Sequence, residues 1–458
     1  MVFKRSILWL GLSASMSLGS VFVQASDRFS DHSLDHSSDR IDNQLDNHLG
    51  SHLENHAMQS LTDHELSDVT GQSLMSLSFI APTDQENKMA GQNIGFYKLG
   101  VEADVELNAN IKKLQLGCGG INGANGCDID IDNLSLSGQA DSNTGRASSS
   151  AKLTNPFIEF AIKNPDKAST REVVGLRLSA EKALGLLTLG DENTSKANGI
   201  NSLSGYMKIN PSSGKASTAA RTMSYNDTGM TIDGNVKACV FLVLCPTLGF
   251  KSNNYSLNLK SAPADIYLNG TTVNGTRMSS VKLDGYANIH QLDFSGDLQA
   301  ALDISLGLLK LQKVVDGNIT GLKANITVDE NLGYVHKLNI NNPMSLSLQN
   351  QQIWWPKADA AANQGWWLAF DDAIDIGDVT PTDQIQVTND VLKQVVNPIS
   401  KYIQNNPPTC SLLNCLFGDA LTVGNVNLTN TTLNFPLKDL QLSKQSFAPN
   451  CYGNLKFC

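Results

Sequence analysis

The chain has 458 residues, 41% of them hydrophobic and 17% charged, and its 34 Lys+Arg against 44 Asp+Glu leave a net charge of −10. That length holds one large β domain or two or three ordinary ones. The acidic balance excludes a general electrostatic pull toward nucleic acid, which needs clustered cations. Past the N-terminal segment no apolar run approaches the ~18 residues of a spanning helix.

Residues 1–25 read as a secretory signal. Lys4 and Arg5 give the cationic start, an apolar stretch opens at Ile7 and runs to Val23, and Val23 and Ala25 suit cleavage before Ser26. Residues 26–60 form a His/Asp-rich arm written in a degenerate four-residue repeat. Six of the eight histidines lie between His32 and His64, and residues 26–70 hold ten acids against two arginines. So little apolar surface cannot offset the entropy of ordering, and a disordered arm is expected. If it turned helical, His48, His52 and His56 would share a face, which makes them weak metal candidates. A polar spacer is the plainer reading, and no metal or other cofactor is assigned.

Residues 61–72 change character. Thr62 and Glu65 match a capping box, Leu61, Leu66 and Val69 make an apolar stripe, and Gly71 ends a short helix. β-rich text then begins. Val101, Ala103, Val105 and Leu107 alternate with Glu102, Asp104 and Glu106, the pattern of a half-buried strand. A Gly/Asn-rich loop from Cys118 to Cys127 leads to a second apolar series, Ile129, Ile131, Leu134 and Leu136. A hairpin with a disulfide across its base is expected there. Asp128, Asp130 and Asp132 resemble the start of a calcium loop, but the sixth and twelfth places hold Asn133 and Gln139. They read instead as an exposed strand face.

Eight cysteines fall in four close pairs: Cys118 and Cys127, Cys239 and Cys245, Cys410 and Cys415, Cys451 and Cys458. These gaps do not supply two matched metal half-sites. Four local disulfides, formed in an oxidising compartment, are expected.

Further strands are expected at residues 157–162, 173–178, 255–259, 300–309 and 321–328. A short pattern recurs, as in Leu136-Ser137-Gly138, Leu203-Ser204-Gly205, Leu283-Asp284-Gly285 and Phe294-Ser295-Gly296. Glycine inside a strand marks a bend or a close approach. Two tryptophan doublets follow, Trp354-Trp355 and Trp366-Trp367. They could stack on a ligand or partner, plug the core, or place one ring of each doublet inward and one outward. One helix is expected over residues 389–404, where Val391, Val395, Ile399 and Ile403 recur every four positions, with Pro398 inside and Pro407-Pro408 after it. Residues 421–442 return to strand. The predicted architecture is mainly all-β, an elongated twisted antiparallel sheet or sandwich, with one C-terminal helix and a disordered N-terminal arm. Residues 61–350 form the β-rich domain, and residues 351–458 are continuous with it.

The chain lacks a Gly-x-Ser-x-Gly elbow and a phosphate loop. The metalloprotease pattern started by His64-Glu65 fails, because Asp68 stands where its second His belongs. Beyond residue 70 the only histidines are His290 and His336. A non-catalytic protein is expected.

The run Leu61-Thr62-Asp63-His64-Glu65-Leu66-Ser67-Asp68-Val69-Thr70-Gly71-Gln72, close behind a signal peptide, resembles the start of exported FilA-like proteins of the Fil group. Those are encoded in a pilus or filament operon of Gram-negative bacteria. The resemblance covers some 20 residues and supplies no catalytic residue. It implies a surface or pilus-associated structural or assembly role, with other pilus or surface-assembly proteins as partners. Association with the outer membrane would then need no transmembrane helix. A periplasmic module that binds a lipid or glycan through the Trp doublets, or a metal-binding protein acting through the arm, are the other readings.

Overall fold

The computed structural model describes residues 74–450 apart from 141, 192–195, 240–243, 305–306, 412, 415–419, 444, 446 and 449. All belong to one compact unit, Glu65–Cys458. The signal, the arm with His48, His52 and His56, the helix expected at residues 61–72, and Cys415, Cys451 and Cys458 lie outside the described residues.

The described chain is mostly strand. The first eight strands are β1 (Met75–Ile80), β2 (Ile94–Val101), β3 (Asp104–Leu107), β4 (Ala109–Leu116), β5 (Ile129–Ser137), β6 (Ala151–Lys163), β7 (Glu172–Thr188) and β8 (Ile200–Ile209). The next eight are β9 (Ser212–Ser217), β10 (Arg221–Ser224), β11 (Ile232–Cys239), β12 (Thr247–Leu259), β13 (Pro263–Leu268), β14 (Thr271–Met278), β15 (Ser280–Ile289) and β16 (Leu292–Ile304). The last are β17 (Gly307–Thr320), β18 (Lys323–Asn331), β19 (Lys337–Ile340), β20 (Met344–Gln349), β21 (Gly365–Ile374), β22 (Thr409–Ser411), β23 (Ala420–Asn427) and β24 (Thr432–Lys438). Two short helices, α1 (Asn143–Ala147) and α2 (Tyr225–Thr228), precede the long one, α3 (Asn389–Asn405).

Three sheets result. The first holds twelve strands along the path β1-β2-β6-β7-β20-β21-β8-β5-β4, with β3, β14 and β19 added at its sides. Its long strand β7 is shared. Residues 172–184 pair with β6, residues 175–178 with β20, and residues 186–188 with β5. Because β20 pairs with β21, β21 with β8 and β8 with β5, hydrogen bonds close a ring through β7, β20, β21, β8 and β5. Strands β1, β2, β3 and β6 extend from that ring as a wing.

The second sheet runs β22-β11-β12-β16-β17-β23 with β10 beside β12, and the third runs β24-β18-β15-β13-β9. One apolar core joins Val236 and Leu257 of the second sheet, Ile266 and Ile326 of the third, Leu136 and Leu203 of the ring, and Val396 and Ile399 of α3. Apolar residues of α3 fall every three or four positions, so one side of the helix is buried throughout. Its start is fixed by Thr388, whose hydroxyl accepts from the Val391 amide. Only about 40 Å³ is left between α3 and the second sheet, so that interface is tightly filled.

Most pairings are antiparallel. The four parallel ones, β21 on β8, β22 on β11, β23 on β17 and β24 on β18, each use a strand from beyond residue 364. The C-terminal part of the chain therefore returns along strands laid down earlier, and it supplies both edges of the second sheet and one edge of the third.

Several local expectations are corrected. The alternating stretch at residues 101–107 is broken: β2 ends at Val101 and β3 begins at Asp104. The hairpin partner of β5 is instead β4. Residues 300–309 hold the junction of β16 and β17 rather than one strand. Glycines of the recurring pattern do mark close approaches: a Cβ at Gly285 or Gly296 would meet a neighbouring carbonyl oxygen at 2.2 or 2.0 Å. The disulfides Cys118–Cys127 and Cys239–Cys245 are formed. Cys410 is also disulfide-bonded, to a partner outside the described residues.

Candidate binding face

Side chains alternate across a strand, and a sheet covered on one side normally turns its polar residues to water. The wing does the reverse. One cross-strand row runs Leu77, Leu99, Ile158, Leu178, Leu346, Leu368 across β1, β2, β6, β7, β20 and β21. The next runs Phe79, Tyr97, Phe160, Leu176, Leu348, Trp366. Twelve side chains over six strands include no charged group. At Leu346, Leu368 and Trp366 the rows pack against the main core, while Leu348 stays exposed. Toward β1 they open to solvent, with Leu77 74% and Leu178 44% exposed.

The row between them points the other way and is polar: Ser78, Lys98, Glu159, Arg177, Ser347 and then Trp367. From Glu159 to Trp367 it is the covered face. Glu159 and Arg177 are buried there, with the guanidinium Nε donating to Glu159 Oε2 at 2.8 Å. Burial raises the Glu159 pKa even against the Arg177 charge. The lid over this face is built on Trp355, whose ring lies 5.3 Å from the Arg177 guanidinium and 5.7 Å from the Phe96 ring. It also fills the space above Gly175, where a Cβ would sit 3.0 Å from the ring.

The tryptophan doublets are thus divided between environments. Trp355 and Trp367, 3% and 1% exposed, belong to this second core with Ile94, Phe96 and Ile353. Trp366 faces the open side. Trp354 is half-buried; its Nε1 donates to the Ala358 carbonyl at 2.8 Å and Lys88 Nζ sits 4.0 Å above its ring.

At the Trp366 end the open face deepens into a cavity of about 470 Å³, walled by Val173, Leu176, Leu348, Trp366 and the tip residue Ile121 of the Cys118–Cys127 loop. This size suits a small-molecule site. The cavity wall is rigid for a definite reason. Asp128, expected on an exposed strand face, is 1% exposed and accepts three hydrogen bonds: Arg277 Nε at 3.0 Å, Asn122 Nδ2 at 2.9 Å and the Trp366 amide at 3.0 Å. Glycine is required on both sides of it. Gly117 and Gly365 have φ of 69° and 93°, and a Cβ on either would lie 2.3 Å from the carboxylate. The Arg277 guanidinium also donates to the carbonyls of Gly117 and Gly123. One arginine, 149 residues from Asp128 in sequence, thereby holds the disulfide loop against the sheet. The signal missed in the sequence was the loop's own row of carbonyls, which needs a cation to gather it.

Asp130 and Asp132 do lie on the outer side of β5, both within ion-pair distance of Lys113. His290 Nε2 is 2.8 Å from Asp265 at the surface, and buried His336 faces the Leu189 carbonyl through Nδ1 at 2.8 Å. Neither meets the cavity. Among the described residues there is no group of three His, Cys, Asp or Glu side chains placed to hold a metal, and no helix long and apolar enough to cross a membrane. No family model, curated protein or solved structure matches the chain.

Proposed function

We propose that the chain is an exported, disulfide-braced structural or assembly component of a bacterial surface or pilus system, one that docks partners and performs no catalysis. The observation that carries this is the inverted wing: a sheet that buries the Glu159–Arg177 pair on one face while Leu77, Phe79, Leu99, Ile158 and Leu178 of the other face stay exposed. Such a surface is costly in water unless something covers it. Two formed disulfides suit an oxidising compartment, and the resemblance of residues 61–72 to the Fil group supplies the pilus context. Other surface-assembly proteins are the partners this reading calls for, with nucleic acid disfavoured by the net charge of −10.

The test is protease accessibility on intact cells carrying an epitope after Cys458, paired with gene deletion. Digestion in intact cells, with altered filaments or attachment on deletion, is the expected result. Protection until the outer membrane is permeabilised, with filaments and attachment unchanged, would sink the surface role. The cavity beside Trp366 favours a second reading, a periplasmic module for an acyl-bearing lipid, since its walls are mainly aliphatic and aromatic. Lipid co-purifying with the protein would support it.

A further inference from the structure

We infer that the open face of the wing is covered by a second copy of this chain, the two sheets stacking face to face about a two-fold axis. The inference rests on the docking reading above and names its partner. The open side chains, chiefly Leu77, Phe79, Leu99, Ile158, Val173, Leu178 and Leu348, are each between 36% and 74% exposed and make one contiguous apolar surface across β1, β2, β6, β7 and β20, the kind of patch that marks an interaction site. A two-fold contact sets this face against an equal extent of itself, so one copy covers another. Two antiparallel sheets with apolar inner faces stack at about 10 Å with interdigitated side chains. The wing is one half of such a sandwich.

The rim separates this occupant from others. Beyond Leu178 the same side of β7, β6 and β3 turns to Lys182, Thr154 and Asp104, then to Lys152 and Glu106. Lys152 Nζ pairs with Asp104 at 2.7 Å. A rim carrying two cations and two anions is compatible with its own copy, because a two-fold contact presents each patch to itself. A face meant for an anionic lipid surface would be ringed with excess Lys and Arg. A glycan site would need convergent polar groups, and the Asp128 carboxylate, the charged group at the cavity, is already bound on three sides.

Sedimentation velocity of the purified full chain across a dilution series tests this. The expected result is a two-chain mass at high concentration. Ile158→Lys with Leu178→Lys should weaken association by at least roughly thirty-fold. Ile158→Thr with Leu178→Thr, which keeps strand propensity, should act in the same direction with an unchanged circular dichroism spectrum. Acrylamide quenching of tryptophan fluorescence should fall as the chain associates, because Trp366 borders the face. A single-chain mass at every concentration overturns the inference, as does a dimer indifferent to both variant pairs. Monomer with lipid retained in native mass spectrometry overturns it in favour of an acyl occupant. If the protein is monomeric yet the lysine variants abolish attachment, docking stands and the self-partner falls. A sensitive dimer whose variants leave attachment untouched would spare the inference and remove the surface role.

Discussion

At the scale of single residues, two buried charges carry opposite consequences. Asp128 is buried beside Arg277, and removing one member of such a pair leaves the other charge without compensation. Arg277→Ala is therefore expected to lower unfolding free energy by roughly 3–5 kcal/mol, measured by denaturant midpoint. It should also free the disulfide loop, seen as faster amide exchange around residues 117–126. Among the described residues, Glu330, in β18, has no such partner. Burial pushes its pKa from 4.5 up to about 8, although Oε2 accepts the Leu440 amide at 3.0 Å. The folded state prefers this carboxyl protonated. Its favourable contribution is complete below about pH 4.5 and is lost as pH rises toward 8. Glu330→Gln should accordingly raise the melting temperature at pH 8 and flatten the fall in stability between those two values. A melting temperature at pH 8 equal to that of the parent would refute this account.

At the scale of elements, the loop between β4 and β5 is braced twice, by the Cys118–Cys127 bond and by Arg277. A disulfide closing so short a loop contributes roughly 2–3 kcal/mol through the unfolded chain. Replacing both cysteines by alanine should cost no more than this in thermal melts, because the arginine still gathers the loop carbonyls. Combining that change with Arg277→Ala should cost more than the two added separately, since both restrain one loop. These elements were unevenly legible in the sequence. The disulfide was readable because two cysteines flank a loop of eight residues, six of them Gly or Asn, in a chain read as exported. Helix α3 was readable from its four-residue apolar period. The open face was not. Ile158, Phe160, Leu176 and Leu178 alternate as any half-buried strand does, and the pattern does not say which side will be covered. That is decided by Trp355, which arrives far later in the chain and covers the polar side. The same limit applies to Asp128: the Asp-x-Asp-x-Asp spacing describes one strand, whereas its partner Arg277 lies beside another.

At the scale of the whole described unit, the mainly β architecture was legible from composition and alternation, but the ring was not, because its closure depends on pairings between distant strands. The ring explains why residues beyond 364 cannot be spared. Strand β21 closes it, and β22, β23 and β24 occupy three edges of the other sheets. Truncation after residue 364 should abolish cooperative thermal unfolding, and a sharp transition in the truncated chain would show that the ring does not govern stability. The shared strand β7 also fixes an order of events. During synthesis β8 is complete at Ile209, yet its parallel partner β21 is complete only at Ile374. At roughly 5–20 residues per second, that leaves about 10–30 s in which β7 and β8 exist with open edges. For that interval the edges that await β20 and β21 are exposed to aggregation, so a holding chaperone, or transport before folding, has a window set by the spacing of two strands.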